Sequence, residues 1–504
     1  MKKLIPFIFC LFQVSCERLN AQSWEWVTPV RSAQACLNEI TVIGNSAYAS
    51  GSAYGDTVYF PGSDIPVPPY HSFLIKEWSD GRMAWVRDLG AVTVAGLSHS
   101  NENVFAFGTF HDEMKIDNSH ICSRHNSYDI YLAAFDTMGY VKQLHAFGGP
   151  GQDHPYSLCA DTAGRTWLLA GIARSSDTYS SIDLLLIQFG KYGEVLQRDT
   201  LPRSIIYPNV SVSSDEDVFV SGTFIDTLKW SDSIITASQH GAFLAKMQGS
   251  AIQWINIYEG LSGNYVLAGK PAVDEHSNTY LPLASQGNFA SGTHVFSGPT
   301  VLKTDRNGNV KKFMQTGLSK QVVRVMPDRT IGISGSSVMA HKIFKLDSDL
   351  DILFSSEIGF GVNWGLHELT FDVDKAGNFL LAGNTTDSLF FRGGEPGLSG
   401  AGQQVYFAKL GGRDLSGIFS DQQEKDISFT IFPNPAHSSI TINLSRVEEN
   451  AYISVYDLSG NAVFKNISVR NNVIQVDLSG HTKGVYFVQL DIGGKSLTQK
   501  VVLE

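Results

Sequence analysis

A short strand ending in glycine recurs along most of this chain, and each copy is followed by a second strand of one kind. The glycine strands are Tyr48–Gly51, Phe105–Gly108, Leu168–Gly171, Phe219–Gly222, Ile331–Gly335 and Leu380–Gly383, with Tyr280–Ser285 as a degenerate copy. Their followers are Phe73–Lys76, Tyr131–Asp136, Leu185–Phe189, Phe243–Met247, Val301–Asp305, Ile343–Asp347 and Phe407–Leu410. Self-similarity at a fixed period means one supersecondary unit repeated, so the fold is decided at the level of the repeat. Seven repeats are present.

Each repeat holds more than two strands. A third follows a turn, as in Ala84–Gly90, Gln253–Ile257 and Ile352–Gly359, and another precedes the glycine strand, as in Glu39–Ile43 and Glu368–Val373. Four strands per repeat of ~55 residues is the unit of a β-propeller blade, which makes this an all-β, seven-bladed β-propeller over residues 22–415. The composition agrees: 47 glycines, 30 phenylalanines, 18 tyrosines and only 17% charged residues in 504 suit short strands and tight turns. The seventh copy lacks its outermost strand, and an orphan strand, Trp24–Val27, patterned like Ala84–Val86, stands before the first. Moving it to blade seven closes the ring and removes the exposed sheet edges of an open one.

From Phe429 onward the pattern changes to strict alternation over Ser439–Leu444, Tyr452–Tyr456, Val473–Leu478 and Val485–Leu490, separated by turn residues. This predicts a small immunoglobulin-like β-sandwich over 428–504, joined by a polar linker at 416–427. The run Phe432-Pro433-Asn434-Pro435, the segment Val455–Gly460, the strand Gly484–Val488 with Tyr486, and the ending Lys500–Glu504 resemble the type A C-terminal sorting domain of type IX secretion cargo. The resemblance implies a sorting motif of Pro433, Asn434, Pro435, Gly460, Gly484, Tyr486 and Lys500. Its implied partners are the outer-membrane translocon and a cysteine peptidase acting as sortase, often with attachment of the cargo to surface lipopolysaccharide.

The N-terminus fits that route. Lys2 and Lys3 precede an apolar run, Leu4–Val14, too short to span a bilayer, so residues 1–21 read as a signal peptide cleaved after Ala21. A lipoprotein reading, with Cys16 lipidated, is the rival. No other run reaches ~18 apolar residues, so no transmembrane segment is expected in the mature chain. Removing residues 1–21 takes the formal charge from -11 to about -13, which disfavours nucleic acid as a partner. Cys36, Cys122 and Cys159 then remain, too few for a disulfide scaffold; a Cys122–Cys159 bridge and free thiols are both open.

The middle also resembles the bacterial β-propeller repeats of large secreted proteins, through Gly148-Gly149, Asp153, Asp161 and Gly164 ahead of a glycine strand. That resemblance implies a fold and no activity. Candidate chemistry has simpler explanations. Asp161–Trp167 is a blade turn with one residue too many for an Asp-box. His111, Asp112, Glu113, Asp117, His120, Cys122 and His125 are metal-ligand types at no standard spacing. Asp112–Ile116 also has counterparts at Asp56–Phe60, Asp226–Trp230 and Asp387–Phe391, so an architectural role is simplest. Asp347, Asp349 and Asp351 lack the glycine and glutamate of a calcium loop. No catalytic residue, cofactor or metal is therefore assigned. The expected function is binding or surface interaction with an extracellular glycan or protein; the alternative is a glycan-directed hydrolase or lyase. The long connections Ser52–Tyr70, Phe110–Asp129 and Asn384–Gln403 place the expected recognition surface on blades seven, one and two.

Overall fold

The two central strands of each repeat are covered on both faces, which is why they read as nearly continuous apolar runs. Ser72–Glu77 and Phe379–Thr385 are buried along their whole length, whereas the fourth-position strand Val195–Leu201 alternates exposed and shielded side chains. The computed structural model describes residues 24–30, 35–60, 63, 65–176, 182–230, 233–337, 340–360, 368–385, 389–391, 404–411, 429–444, 451–458, 461–469, 471, 473–492 and 495–504. The signal peptide, the linker 416–427, Gly460 and most of the 384–403 connection lie outside them. The chain divides into two units, Met1–Leu415 and Ser416–Glu504.

Among the described residues, the first unit contains seven antiparallel sheets with a core of four strands each, and a two-stranded hairpin of Glu113–Ile116 and Ser119–Cys122. Sheet one runs in order through Ala35–Ile43, Ser46–Ala53, Ser72–Glu77 and Met83–Gly90. Sheets two to six open with Gly96–His99, His154–Ala160, Ile205–Val212, Val266–Ala268 continued at Ala272–Val273, and Ser319–Val325. In sheet seven, Glu368–Val373, Phe379–Thr385 and Gln404–Leu410 are joined by Trp24–Val30, which runs antiparallel to the last of them with Trp26 opposite Lys409 and Val30 opposite Val405. The opening strands of consecutive sheets lie side by side, and that of sheet seven lies beside that of sheet one.

A turn glycine and an aromatic ring link neighbouring sheets. Trp85 of sheet one donates its Nε1 hydrogen to Thr137 O at 3.3 Å, in the last turn of sheet two, and Trp254 of sheet four donates to Arg306 O at 3.0 Å in sheet five. Trp26, in the strand joined to sheet seven, makes the same bond to Ser79 O of sheet one at 3.0 Å. Each ring lies where the Cβ of a turn glycine would stand: a methyl on Gly81, Gly139 or Gly308 would come within 2.8, 3.0 or 2.9 Å of it. These glycines have φ of +81°, +85° and +87°, so the turn and the ring both require glycine there.

The connections between second and third strands form a second link. Their alternating residues bury Val58 and Phe60, Met114 and Ile116, Leu228 and Trp230, and Leu389 and Phe391, while Tyr59 and Phe390 between them are 67% and 60% exposed. Each pair joins the core of the preceding sheet: Val58 and Phe60 pack with Val405 and Phe407 of sheet seven, and Met114 with Leu89 and Tyr48 of sheet one. The expected confinement of long connections to three neighbouring repeats does not hold. Sheet four extends as a hairpin through Trp230 and Ser233, and sheet five sends Asn288–Ser291 and His294–Ser297 out to pair with the edge of sheet four. These excursions continue as β-strand, so their sequences read as strand and not as loop.

In the second unit, Phe429–Phe432, Ser439–Leu444 and Val473–Asp477 form one sheet. Ala462–Ser468, Tyr452–Asp457, Gly484–Ile492 and Lys495–Leu503 form another. The two share a core that includes Ile440, Ile442, Ile453, Val455, Val488, Leu490 and Val501. No helix of the described residues is long and apolar enough to cross a membrane.

Candidate functional site

The C-terminal segment resembling a sorting motif converges on one end of a hairpin. Gly484, Tyr486 and Lys500 lie on its two strands, with Gly484 opposite Leu503, Tyr486 opposite Val501 and Lys500 opposite Phe487. The Pro433-Asn434-Pro435 segment is held against the same strand by a side-chain amide. Asn434 Nδ2 donates to Lys500 O at 2.9 Å, and Val502 N donates to Asn434 Oδ1 at 3.0 Å. The chain then continues beside the last strand, Ala436 N donating to Val502 O at 2.7 Å and Glu504 N to Ala436 O at 2.7 Å. Residues 66 positions apart in sequence thus come together, with Lys500 exposed and Tyr486 3% exposed in the core.

In the first unit the metal-ligand types of the 111–125 segment do not assemble. His111 meets Asp112 at 3.1 Å, His120 meets Glu113 at 3.3 Å, and Lys115 also reaches Glu113. Among the described residues, no group of three such side chains is placed to hold an ion. Asp347 accepts the backbone N–H groups of Asp349 and Asp351, while Asp349 pairs with Lys303 at 3.1 Å. Asp161 accepts Arg165 N at 2.9 Å in an ordinary turn. Asp153 bridges Gly149 N and Ala173 N, and burial pushes its carboxyl up to about 6. Of the described cysteines, Cys159 is buried, Cys36 half-buried and Cys122 exposed.

The site that sequence reading missed lies where the seven opening strands face one another. A cavity of about 300 Å³ is lined from all seven sheets, including Asn38 and Glu39, Gly96, Tyr156, Asn209, Lys270, Arg324 and Thr370. The ladder breaks at this level in four opening strands, between Leu37 and Glu39, Pro155 and Ser157, Ile206 and Asn209, and Ser319 and Val322. In a fifth the strand itself is interrupted between Ala268 and Ala272, at Gly269-Lys270-Pro271. A bulge re-aims side chains and bends the strand, and these five irregularities deliver Asn38, Tyr156, Asn209, Lys270 and Lys320 to the cavity wall. The available signal was proline: Pro155, Pro208 and Pro271 sit at three of the breaks, and proline in a strand marks an edge or a bulge.

Charge in the cavity is arranged across the sheets. Arg324 of sheet six reaches Glu39 of sheet one at 3.1 Å and Asp372 of sheet seven at 3.8 Å. Asp372 Oδ2 also accepts Val42 N at 2.8 Å. Thr41 shares a hydrogen with His99 Nδ1 at 2.6 Å, and burial lowers the basicity of that imidazole. Lys270 of sheet five donates to Leu158 O of sheet three at 2.6 Å, and burial lowers its ammonium below the usual lysine range. Among the described residues, no carboxylate lies within ion-pair distance of Lys270.

Residues 430–504 match the family described as the secretion system C-terminal sorting domain. No curated protein matches the chain. Among solved structures, a protein of unknown function from Bacteroides caccae aligns at 8% identity and a TM-score of 0.34, covering 64% of this chain and 93% of that one. One from Dyadobacter fermentans aligns at 9% and 0.37, covering 63% and 94%. Prolyl oligopeptidase B from Galerina marginata aligns at 9% and 0.38, and there the match covers 72% of this chain and 48% of the other. The alternating strands, the Asn434 clamp on the last strand and the family match agree, so residues 430–504 are a type IX secretion C-terminal sorting domain, and the chain that carries it is sent to the cell surface or outside the cell.

Proposed function

We propose that this secreted β-rich chain is a seven-bladed β-propeller, closed by Trp24–Val30, that works as a binding or surface-interaction protein. In this reading residues 1–21 are removed as a signal peptide. The 428–504 domain is read by the translocon and sortase through Pro433, Asn434, Pro435, Gly460, Gly484, Tyr486 and Lys500, with 416–427 as the linker. The seven four-stranded sheets, the side-by-side opening strands and the repeated tryptophan contacts support the ring.

One observation carries the functional reading. Five opening strands depart from regular pairing at one level and present side chains to one shared cavity. Regular pairing would be the more stable choice in each strand, so five coincident departures mark a ligand site on a rigid frame. The cavity lies toward the ends at which the opening strands begin, where the connections between second and third strands also lie, and exposed Tyr54, Tyr128, Tyr156 and Tyr207 belong to that end. Tyr54 Oη meets Cys36 Sγ at 3.2 Å, and that sulfur meets Asn38 on the cavity wall at 3.3 Å. The engagement of Glu39 and Asp372 by Arg324 favours binding over hydrolysis, because acid–base catalysis needs a carboxyl able to exchange its proton with substrate.

A glycan array probed with the full chain tests this. Binding to a defined set of extracellular saccharides, weakened by Tyr156→Ala, is the expected outcome. Turnover of a bound glycan would favour the hydrolase or lyase reading instead.

A further inference from the structure

We propose that the cavity on the axis of the first unit holds a small carboxylate-bearing sugar, with the carboxylate seated on Lys270. The inference rests on the binding reading above and names its ligand class.

Lys270 is placed by an interruption of its strand. Its strand is cut by Gly269 and Pro271, and the side chain crosses from sheet five to the Leu158 carbonyl of sheet three. An ammonium carries three hydrogens, and in the structure this one meets a single acceptor, a neutral carbonyl. Glu39 and Asp372 favour its charge through space, but their direct contacts are with Arg324. A half-buried ammonium held by one neutral carbonyl has hydrogens left unmatched, and a ligand oxyanion would supply a direct ionic partner and the missing acceptors.

The surroundings narrow the anion. Asn38, Asn209 and the Tyr156 phenol line the same cavity and offer neutral donors and acceptors of the kind that match hydroxyl groups. The volume of about 300 Å³ stands at the small end of ligand pockets, so one ring fits and a polymer threading through does not. Arg324 already has Glu39 and Asp372 as direct partners, which leaves Lys270 with its single carbonyl to receive a ligand carboxylate. A monocarboxylate with ring hydroxyls satisfies both features, whether free or at the end of a glycan.

Titration calorimetry on the full chain separates the possibilities, with D-glucuronate, D-galacturonate and N-acetylneuraminate set against D-glucose, D-galactose and acetate. At least one acidic sugar is expected to bind about tenfold or more tightly than the neutral sugars and acetate. Lys270→Gln can still donate to Leu158 O, and it should bring the acidic sugar down to the neutral level. Lys270→Arg should retain binding, which separates lost charge from lost fold. Tyr192→Ala, in an exposed turn at the far end of sheet three, should behave as the parent does. Neutral sugars that bind as well as acidic ones, or tight binding of the acid by Lys270→Gln, would overturn the assignment and leave the binding reading standing. Acetate equal to the acidic sugar would overturn the sugar part. Array and titration both blank would remove the binding reading as well. An array that binds saccharides, with a titration blank for all three acids, would remove only the acidic ligand.

Discussion

Glu77 ends a strand whose six residues are all buried, with 1% of its surface exposed and neither carboxyl oxygen meeting a hydrogen-bond donor. Burial, and then the charge of Asp80, pushes its pKa well above 4.5. A carboxyl raised in the folded state costs nothing while both states are protonated, and the cost grows as pH climbs past the unfolded value toward the folded one. Stability should therefore fall as pH rises above 4.5 through this group. Glu77→Met removes the polar atoms at similar volume and should stabilise the chain at pH 8 by about 1–3 kcal/mol, with less gain at pH 4. Equal melting temperatures for parent and variant at both pH values would contradict the assignment. Nothing in the sequence singled out Glu77, since Lys76-Glu77 looks like a polar strand end and only tertiary packing encloses it. Lys270 escaped notice for a related reason: an isolated lysine between glycine and proline reads as loop punctuation.

Among the elements, the strands were the legible part. Glycine strands such as Phe105–Gly108 and followers such as Phe243–Met247 carry their assignment in local pattern, and turns such as Asp305–Asn309 carry it in Asx chemistry, with Asp305 accepting the N–H groups of Asn307 and Asn309. The likeness of Trp26 to Trp85 was visible as well. Their acceptors were not, because Ser79 and Thr137 stand 53 and 52 residues away in another sheet. These contacts make a prediction about sheet-to-sheet adhesion. Trp85→Ala removes the bond to Thr137 and the ring over Gly139, and it should destabilise by about 2–4 kcal/mol in urea unfolding, somewhat less than a fully buried tryptophan. Gly139→Ala should do comparable harm, because its methyl meets the same ring and its φ is positive. A loss below about 0.5 kcal/mol in both would show that the ring contact does not hold the sheets together.

For the molecule as a whole, repeat counting reached the four-stranded sheets, and alternation reached the C-terminal unit. The convergence of seven opening strands on one cavity was out of reach, because bulges depend on how each strand meets its neighbours. Two predictions belong to this scale. A chain beginning at Ala35 lacks the strand opposite Gln404–Leu410 and should melt well below one beginning at Gln22; equal melting would mean that the pairing contributes nothing. A chain lacking residues 428–504 should remain in the periplasm with its N-terminal segment processed, and undiminished appearance outside the cell would show that export is directed elsewhere.

Sheet seven is the one described sheet assembled from both ends of its unit, and that imposes an order in time. Trp24–Val30 leaves the ribosome first, and its partner Gln404–Leu410 follows about 370 residues later, a delay of roughly 20 to 75 s at ordinary synthesis rates. Through that interval the strand, which carries Trp24 and Trp26, lacks its partner, whereas the other described strands of the first unit pair within their own repeat or with an adjacent one. Such an edge invites pairing between copies of the chain. The same zipper that holds sheet seven together therefore makes the seven residues Trp24–Val30 the segment most in need of a guardian during export, and the place where crowding on the secretion path would first produce tangled dimers.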